Sequence, residues 1–276
     1  MGTFLAASRG SFDGMILGLC VSTTIFLQIL SNLANDYGDT MNGADSEARE
    51  GPSRTVQSGA ISLGAMKRAI GVFVLLSLLS GLSLLYMAFG WDWNSLLFFF
   101  GLGILSILAA ITYTAGRKPY GYAGLGDLSV LLFFGLVGVM GSSYLYMYII
   151  DWSFILPAMS CGLFSVAVLN VNNIRDIESD KKAGKYSIPV RLGRGKAVIY
   201  HWVLIISGLT TSIVFTLFNY SSYYQWLFIL VVPLLIKNGV GVTKNTKAVA
   251  IDPYLKQMAI STLLFVLLFG LGLVIL

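Results

Sequence analysis

Charge is what this 276-residue chain has least of: 11% of its residues are Asp, Glu, Lys or Arg, whereas 56% are hydrophobic. A soluble domain carries roughly a quarter charged residues to keep its surface in water, so that class is excluded. With two cysteines and one histidine, neither a disulfide framework nor a Cys/His zinc spacing can be written. Cys20 and Cys161 fall in apolar runs and read as small buried thiols. His201, near the start of a predicted helix, is better explained by packing than by general-base chemistry. The opening MGTFLAASRGSFDG lacks a basic stretch followed by an apolar core, and so does not read as a secretory signal peptide.

What is abundant is long apolar runs. Windows of roughly 18 or more apolar residues predict about eight membrane-spanning helices, over 14–35, 68–89, 95–114, 127–148, 153–174, 197–218, 223–241 and 255–275. The links are too short for a soluble domain, so residues 1–276 read as one polytopic all-α unit in a lipid bilayer. The formal charge of +5 does not indicate nucleic acid, because every Lys and Arg except Arg9 falls on one predicted side of the membrane. By the positive-inside rule that side is cytoplasmic, which places the chain in a cell membrane with its polar loops facing the cytoplasm. The links GWDWN, IIDWS and NYSSYY on the other side are short and aromatic, as an interfacial belt requires.

The polar links hold the chemistry. In the first, Asn32, Asn35, Asp36 and Asp39 follow the i, i+3, i+4, i+7 pattern of one helical face, with Asp45 beyond Gly43. In another, Asn172, Asp176 and Asp180 are spaced by four, which on a continuous helix aligns them in one stripe; Glu178 points elsewhere and reads as solvated. Both sets follow an apolar helix ending in asparagines (NLAND, NVNNIRD) and both lead into basic residues, which suggests an internal repeat. Oxygen-only ligand sets favour magnesium or calcium, and magnesium completes a small carboxylate set with water and substrate phosphates. Two such acidic helix ends suggest a diphosphate held through metal ions, with Arg54, Arg117, Lys118, Arg175, Lys185 and Arg191 available to phosphate oxygens. The glycines of YGYAGLGD follow no strand and read as tight turns, not as a nucleotide loop.

At these residues the chain resembles the UbiA-type intramembrane aromatic prenyltransferases. The likeness runs through NDYGD with GPSR, then YTAGRKPYGYAGLGDLSVLLFFG, then NNIRDIESDKKAGKYSIPVRLG. LQILSNLANDYGD and NNIRDIESDKKAGK are most similar to the branch that prenylates 1,4-dihydroxy-2-naphthoate in menaquinone synthesis. The resemblance implies a nine-helix bundle with an apolar cavity open to lipid, magnesium, a polyprenyl diphosphate donor, and release of diphosphate and carbon dioxide. It assigns Asn35, Asp36 and Asp39 to the first metal motif and Asn172, Asp176 and Asp180 to the second. It also places Tyr113 and Arg117 near the diphosphate and the reacting carbon. No obligate protein partner is expected.

Two departures stand out. The third acid of the first motif falls on Gly43, so Asp45 is expected to substitute. The helix that normally precedes NLAND is absent as a full span, and MGTFLAASRGSFDG resembles its end; either the native protein begins further upstream, which is the expectation here, or this form is an incomplete bundle of eight helices with an external N-terminus. Other readings are weaker. DSEAR at 45–49 lacks the glycine and the following acids of a CDP-alcohol phosphotransferase. A transporter would place ionisable groups mid-span rather than at helix ends. The same fold with 4-hydroxybenzoate, homogentisate or a porphyrin as acceptor is not excluded by spacing.

Overall fold

The computed structural model describes residues 1–42, 61–116 and 118–275, all of whose regular structure is helical. Arg54 and Asp45, in the first polar link, and Arg117 lie outside the described residues. Among the described residues ten helices follow in chain order: α1 (Gly2–Ser8), α2 (Gly14–Met41), α3 (Leu63–Phe89), α4 (Trp93–Thr112), α5 (Gly126–Met147), α6 (Trp152–Arg175), α7 (Ile177–Lys182), α8 (Ile188–Phe218, kinked at non-helical Gly193), α9 (Tyr223–Lys244) and α10 (Ala248–Val274). All except α1 and α7 are long and apolar enough to cross a membrane, giving the expected eight spans. Contacts divide the chain into two compact units. The smaller comprises Asp13–Gly126 with Glu178–Ser187, and the larger Met1–Phe12, Asp127–Ile177 and Ile188–Leu276.

In the smaller unit α2 packs on α3 and α4, and α3 on α4. Each starts at a residue whose side chain accepts from the first orphan amides: Asp13 from Met15 and Ile16, Ser62 from Ala65, and Asp92 from Asn94. A helix end without such a partner would expose unsatisfied donors at the edge of an apolar solvent. Trp91, between α3 and α4, and Trp93, the first residue of α4, are exposed, the position of an interfacial anchor. After α4 the chain turns tightly through 119–125, where the amides of Tyr122, Ala123 and Leu125 return to the carbonyls of Pro119, Tyr120 and Tyr120. That is the turn expected of YGYAGLGD.

The larger unit is built around α6, 56% of whose apolar window is buried against 6–39% in the other seven spans. It packs on α5, α8 and α10. Fully buried Phe154, Phe164, Phe215, Phe228, Phe265 and Phe269 supply the core from α6, α8, α9 and α10, with ring centroids as close as 4.7 Å for Phe164 and Phe265. Lipid is as apolar as these rings, so what holds them is close packing rather than exclusion from water. The short α1 buries Leu5 and Ala6 completely against α5 and α10. Arg9 fixes its end, donating to Asp151 Oδ2 at 3.1 Å and to Asn219 Oδ1 at 3.2 Å. His201 does pack: its Nε2 lies 2.9 Å from Asn238 Oδ1, while Asn238 Nδ2 donates to Tyr254 O and Gln257 Oε1. Cys20 and Cys161 are half-buried rather than fully enclosed.

Candidate active site

The smaller unit assembles a cluster from both acidic motifs. Helix α2 runs on to Met41, past the apolar limit at 35, and carries Asp39 into the unit's interior. Gly38 makes this possible: a Cβ there would stand 2.5 Å from Thr114 C and Oγ1, so only glycine lets the backbone of α2 meet the turn after α4. Asn42 Nδ2 closes the contact by donating to Thr114 O at 2.8 Å and Gly38 O at 2.9 Å, and the Thr114 hydroxyl donates to Ala34 O at 3.1 Å. Gly38→Ala is therefore expected to cost about 1–3 kcal/mol by overpacking and to move Asp39. It should appear together as a lower melting temperature in detergent and a lower kcat.

On the other side of the cluster, α7 ends in a paired-hydrogen-bond cap. Gly184 at φ 73° sends its amide to Lys181 O at 3.2 Å, and the Lys185 amide returns to Asp180 O at 2.8 Å. This is the Schellman arrangement, which glycine at the left-handed position favours. It folds Lys185 back against Asp180. The Lys185 ammonium stands 3.5 Å from Asp180 Oδ1 and 3.8 Å from Asp39 Oδ2. The Tyr122 hydroxyl donates to Asp39 Oδ1 at 3.0 Å, and its ring lies 5.8 Å from the ammonium. Asp39, Asp180 and Lys185 are only 2–4% exposed. A cleft of about 430 Å³ shares Tyr122 with this cluster and is lined also by Asn42, Lys118 and Gly184.

Four other assigned residues of this unit lie around it. Asn35 and Asp36 are half-buried on α2, and Asn35 Oδ1 lies 3.3 Å from the Thr114 hydroxyl. Tyr113 ends α4 with its ring edge-to-face against Tyr120 at 5.4 Å. Lys118 is exposed at the cleft.

The larger unit holds a second cluster, at the end of α6. Arg175 Nε and Nη2 donate to Asp176 Oδ1 and Oδ2, both at 2.8 Å, Nη2 also to Asn172 Oδ1 at 2.8 Å, and Nη1 to Asp252 Oδ1 at 2.6 Å. The expectation that Asn172, Asp176 and Asp180 share one continuous helical stripe is corrected here. Helix α6 stops at Arg175, Asp176 takes φ −99° and ψ 12°, and α7 begins at Ile177. The spacing by four therefore does not run along one unbroken helix. Glu178 is exposed, as expected, and so is Arg191, at the start of α8. Tyr122 and Asp252 are absent from the sequence-based set because their partners are far away in the chain, and no local spacing marks them.

The donor chemistry suits magnesium. Among the described residues no three Asp, Glu, His or Cys side chains gather into a ready metal centre, but two buried hard carboxylates beside one ammonium are the kind of set that magnesium completes with water and phosphate oxygens.

Comparison with known proteins agrees with this architecture. The UbiA prenyltransferase family model matches residues 1–263. The 1,4-dihydroxy-2-naphthoate octaprenyltransferase of Haemophilus influenzae is 48% identical over 269 residues, covering 98% of this chain and 87% of that protein. The enzyme of the same name from Escherichia coli is 48% identical over 275 residues, covering 99% and 88%. The apo structure of a UbiA homologue from Aeropyrum pernix shares the fold at a TM-score of 0.71 and 17% identity, covering 98% of this chain and 93% of that one. With the family model spanning nearly all of its length and eight membrane-crossing helices beneath it, this chain belongs to the UbiA prenyltransferase family.

Proposed function

We propose that the chain transfers a polyprenyl group from polyprenyl diphosphate to 1,4-dihydroxy-2-naphthoate, releasing diphosphate and carbon dioxide to give demethylmenaquinone. One observation carries the reaction class: Asp39 and Asp180, from motifs far apart in the sequence, converge within 4 Å of one lysine ammonium. The choice of acceptor rests on the likeness to the two naphthoate octaprenyltransferases.

The donor's allylic carbon–oxygen bond breaks with its electron pair leaving on diphosphate, and the aromatic ring then bonds to the allylic carbon and loses its carboxyl group as carbon dioxide. In this reading Asp39, with Asn35 and Asp36 beside it on α2, and Asp180 on α7 would hold magnesium; Asn172 and Asp176, whose oxygens Arg175 engages in this structure, are assigned to a second magnesium from the sequence. Bound magnesium neutralises the departing diphosphate and lowers the barrier to ionisation. Lys118 and Arg191, exposed and cationic, attract the diphosphate, and Arg54 and Arg117 are assigned with them from the sequence. The Tyr113 ring is assigned, from the sequence, to stabilise the allylic cation through its π-system. The apolar spans keep water from trapping that cation and take the isoprenoid tail directly from the bilayer. We place the polar loops on the cytoplasmic side of the cytoplasmic membrane, from the asymmetry of Lys and Arg.

The test is transfer by the lipid-reconstituted chain supplied with octaprenyl diphosphate, 1,4-dihydroxy-2-naphthoate and magnesium. Demethylmenaquinone should form, and EDTA should reduce its rate by about 10²-fold or more. Undiminished turnover in EDTA would remove the metal assignment. Preference for 4-hydroxybenzoate would overturn the acceptor.

A further inference from the structure

We propose that Lys185 is a positioning residue that occupies the cation position between Asp39 and Asp180 in the metal-free protein and yields it when magnesium binds. The inference rests on the reading that these two carboxylates are metal ligands, and it concerns how they are kept ready.

Two carboxylates brought together in a buried site repel each other and lose hydration, which is costly without a cation between them. Here that cation belongs to the chain itself. The Lys185 ammonium faces Asp180 at 3.5 Å and Asp39 at 3.8 Å, both longer than the 2.7–2.9 Å of a tight charge-assisted hydrogen bond. It therefore balances charge between the two acids without binding either one tightly.

The attachment of Lys185 suits a side chain that must move. Its backbone is fixed by the bond from its amide to Asp180 O at 2.8 Å, so the ammonium can move by rotation about its flexible stem while the backbone stays in place. Tyr122 supplies the fixed part. Its hydroxyl holds Asp39 Oδ1 at 3.0 Å, and its carbonyl accepts the Tyr186 amide at 3.0 Å, which ties the turn after α4 to the residue following Lys185. With the backbone on both sides held, the ammonium can leave while Asp39 and Asp180 keep their places. An arginine here would form forked bonds to carboxylates and resist displacement.

The consequence is competition. Removing the ammonium should make the pair bind a divalent cation more tightly, whereas a lysine needed only to hold the fold would have the opposite effect. The experiment measures Mn²⁺, an EPR-visible substitute for Mg²⁺, binding to the full chain in detergent without donor. The proteins compared are the natural chain, Lys185→Met, Lys185→Gln and Lys185→Arg, with Asp39→Asn/Asp180→Asn as the site control. Both neutral variants should lower the Mn²⁺ Kd at least about tenfold, since a full unit charge a few ångströms away is removed. They should also enlarge the rise in melting temperature on adding Mn²⁺, while Lys185→Arg should weaken binding. Should Lys185→Met fail to fold, the Gln and Arg variants decide the matter by their opposite directions. A Kd unchanged or raised in the neutral variants, with one Mn²⁺ per chain still lost in the control, would overturn this inference alone. If the natural chain bound no Mn²⁺, or the control bound it equally well, the metal assignment of the pair would fall and this inference with it.

Discussion

Asp39→Asn is expected to reduce prenyl transfer by about 10²–10³-fold while leaving the protein folded. The substitution is nearly isosteric, and the new amide oxygen can still accept from the Tyr122 hydroxyl, which lies 3.0 Å from Asp39 Oδ1. The contact between Gly38 and the Thr114 turn is untouched. What disappears is one negative charge in a site where Asp39 is only 2% exposed, too enclosed for solvent to compensate. The loss should fall on kcat, because the charge is needed most as diphosphate departs. Tyr122→Phe keeps the carboxylate and removes only its hydroxyl partner, so its effect should be nearer tenfold, in line with about 1.5 kcal/mol for a hydrogen bond to a charged group. Glu178→Gln, at an exposed position on α7, should stay within about twofold of the natural chain, as a surface charge unconnected to the site would. The assay is product formation per mole of protein that elutes as a single species in detergent. Full activity in Asp39→Asn would end the case for this carboxylate as a ligand.

The eight spans were legible because the bilayer demands about twenty consecutive apolar residues for each crossing, and hydropathy reads that demand directly. It does not read helix continuity. Helix α2 extends to Met41, beyond the predicted limit of 35, because polar residues remain helical once they leave the hydrocarbon; at the start of α8, by contrast, Gly193 at φ 72° and ψ 159° breaks the helix between the turn at 188–192 and the span itself. The same blindness worked the other way at Asp176. Spacing by four implied an unbroken helix, yet the chain leaves helical geometry there, where the carboxylate takes the Arg175 guanidinium in a fork. The acidic residues themselves were legible as a pattern, carboxylates beside asparagines at apolar helix ends, and the structure brings Asp39 and Asp180 of the two motifs to one lysine. Their partners were not. Lys185 was assigned to phosphate from its charge, and only the Schellman turn at Gly184 shows it facing two acids. Tyr122 was hidden among turn residues. Asp252 sits one residue before Pro253 in α10, with no local pattern tying it to Arg175.

Arg175→Met is expected to be the most damaging substitution to stability, at about 3–5 kcal/mol, the range for breaking a buried ion pair from one side. Arg175 and Asp176 have side chains only 5% exposed, and the guanidinium engages both oxygens of Asp176, along with Asn172 and Asp252. Methionine fills much of the volume but leaves Asp176 buried and charged without its fork. The double variant Arg175→Met/Asp176→Asn removes that stranded charge and should recover a large part of the loss in melting temperature. Asp252→Asn alone should cost at most about 1 kcal/mol, because the Asp252 side chain is 36% exposed and water can replace the arginine. Arg175→Lys separates stability from chemistry: it keeps a cation beside Asp176 but cannot hold both oxygens at once. It should fold better than Arg175→Met, yet still lose turnover if Asp176 must be held in a fixed orientation to serve the diphosphate. Near-natural turnover in Arg175→Lys would make the pair a charge-neutralising brace and nothing more. A fall in kcat at near-natural melting temperature would give the fork a direct share in arranging the site.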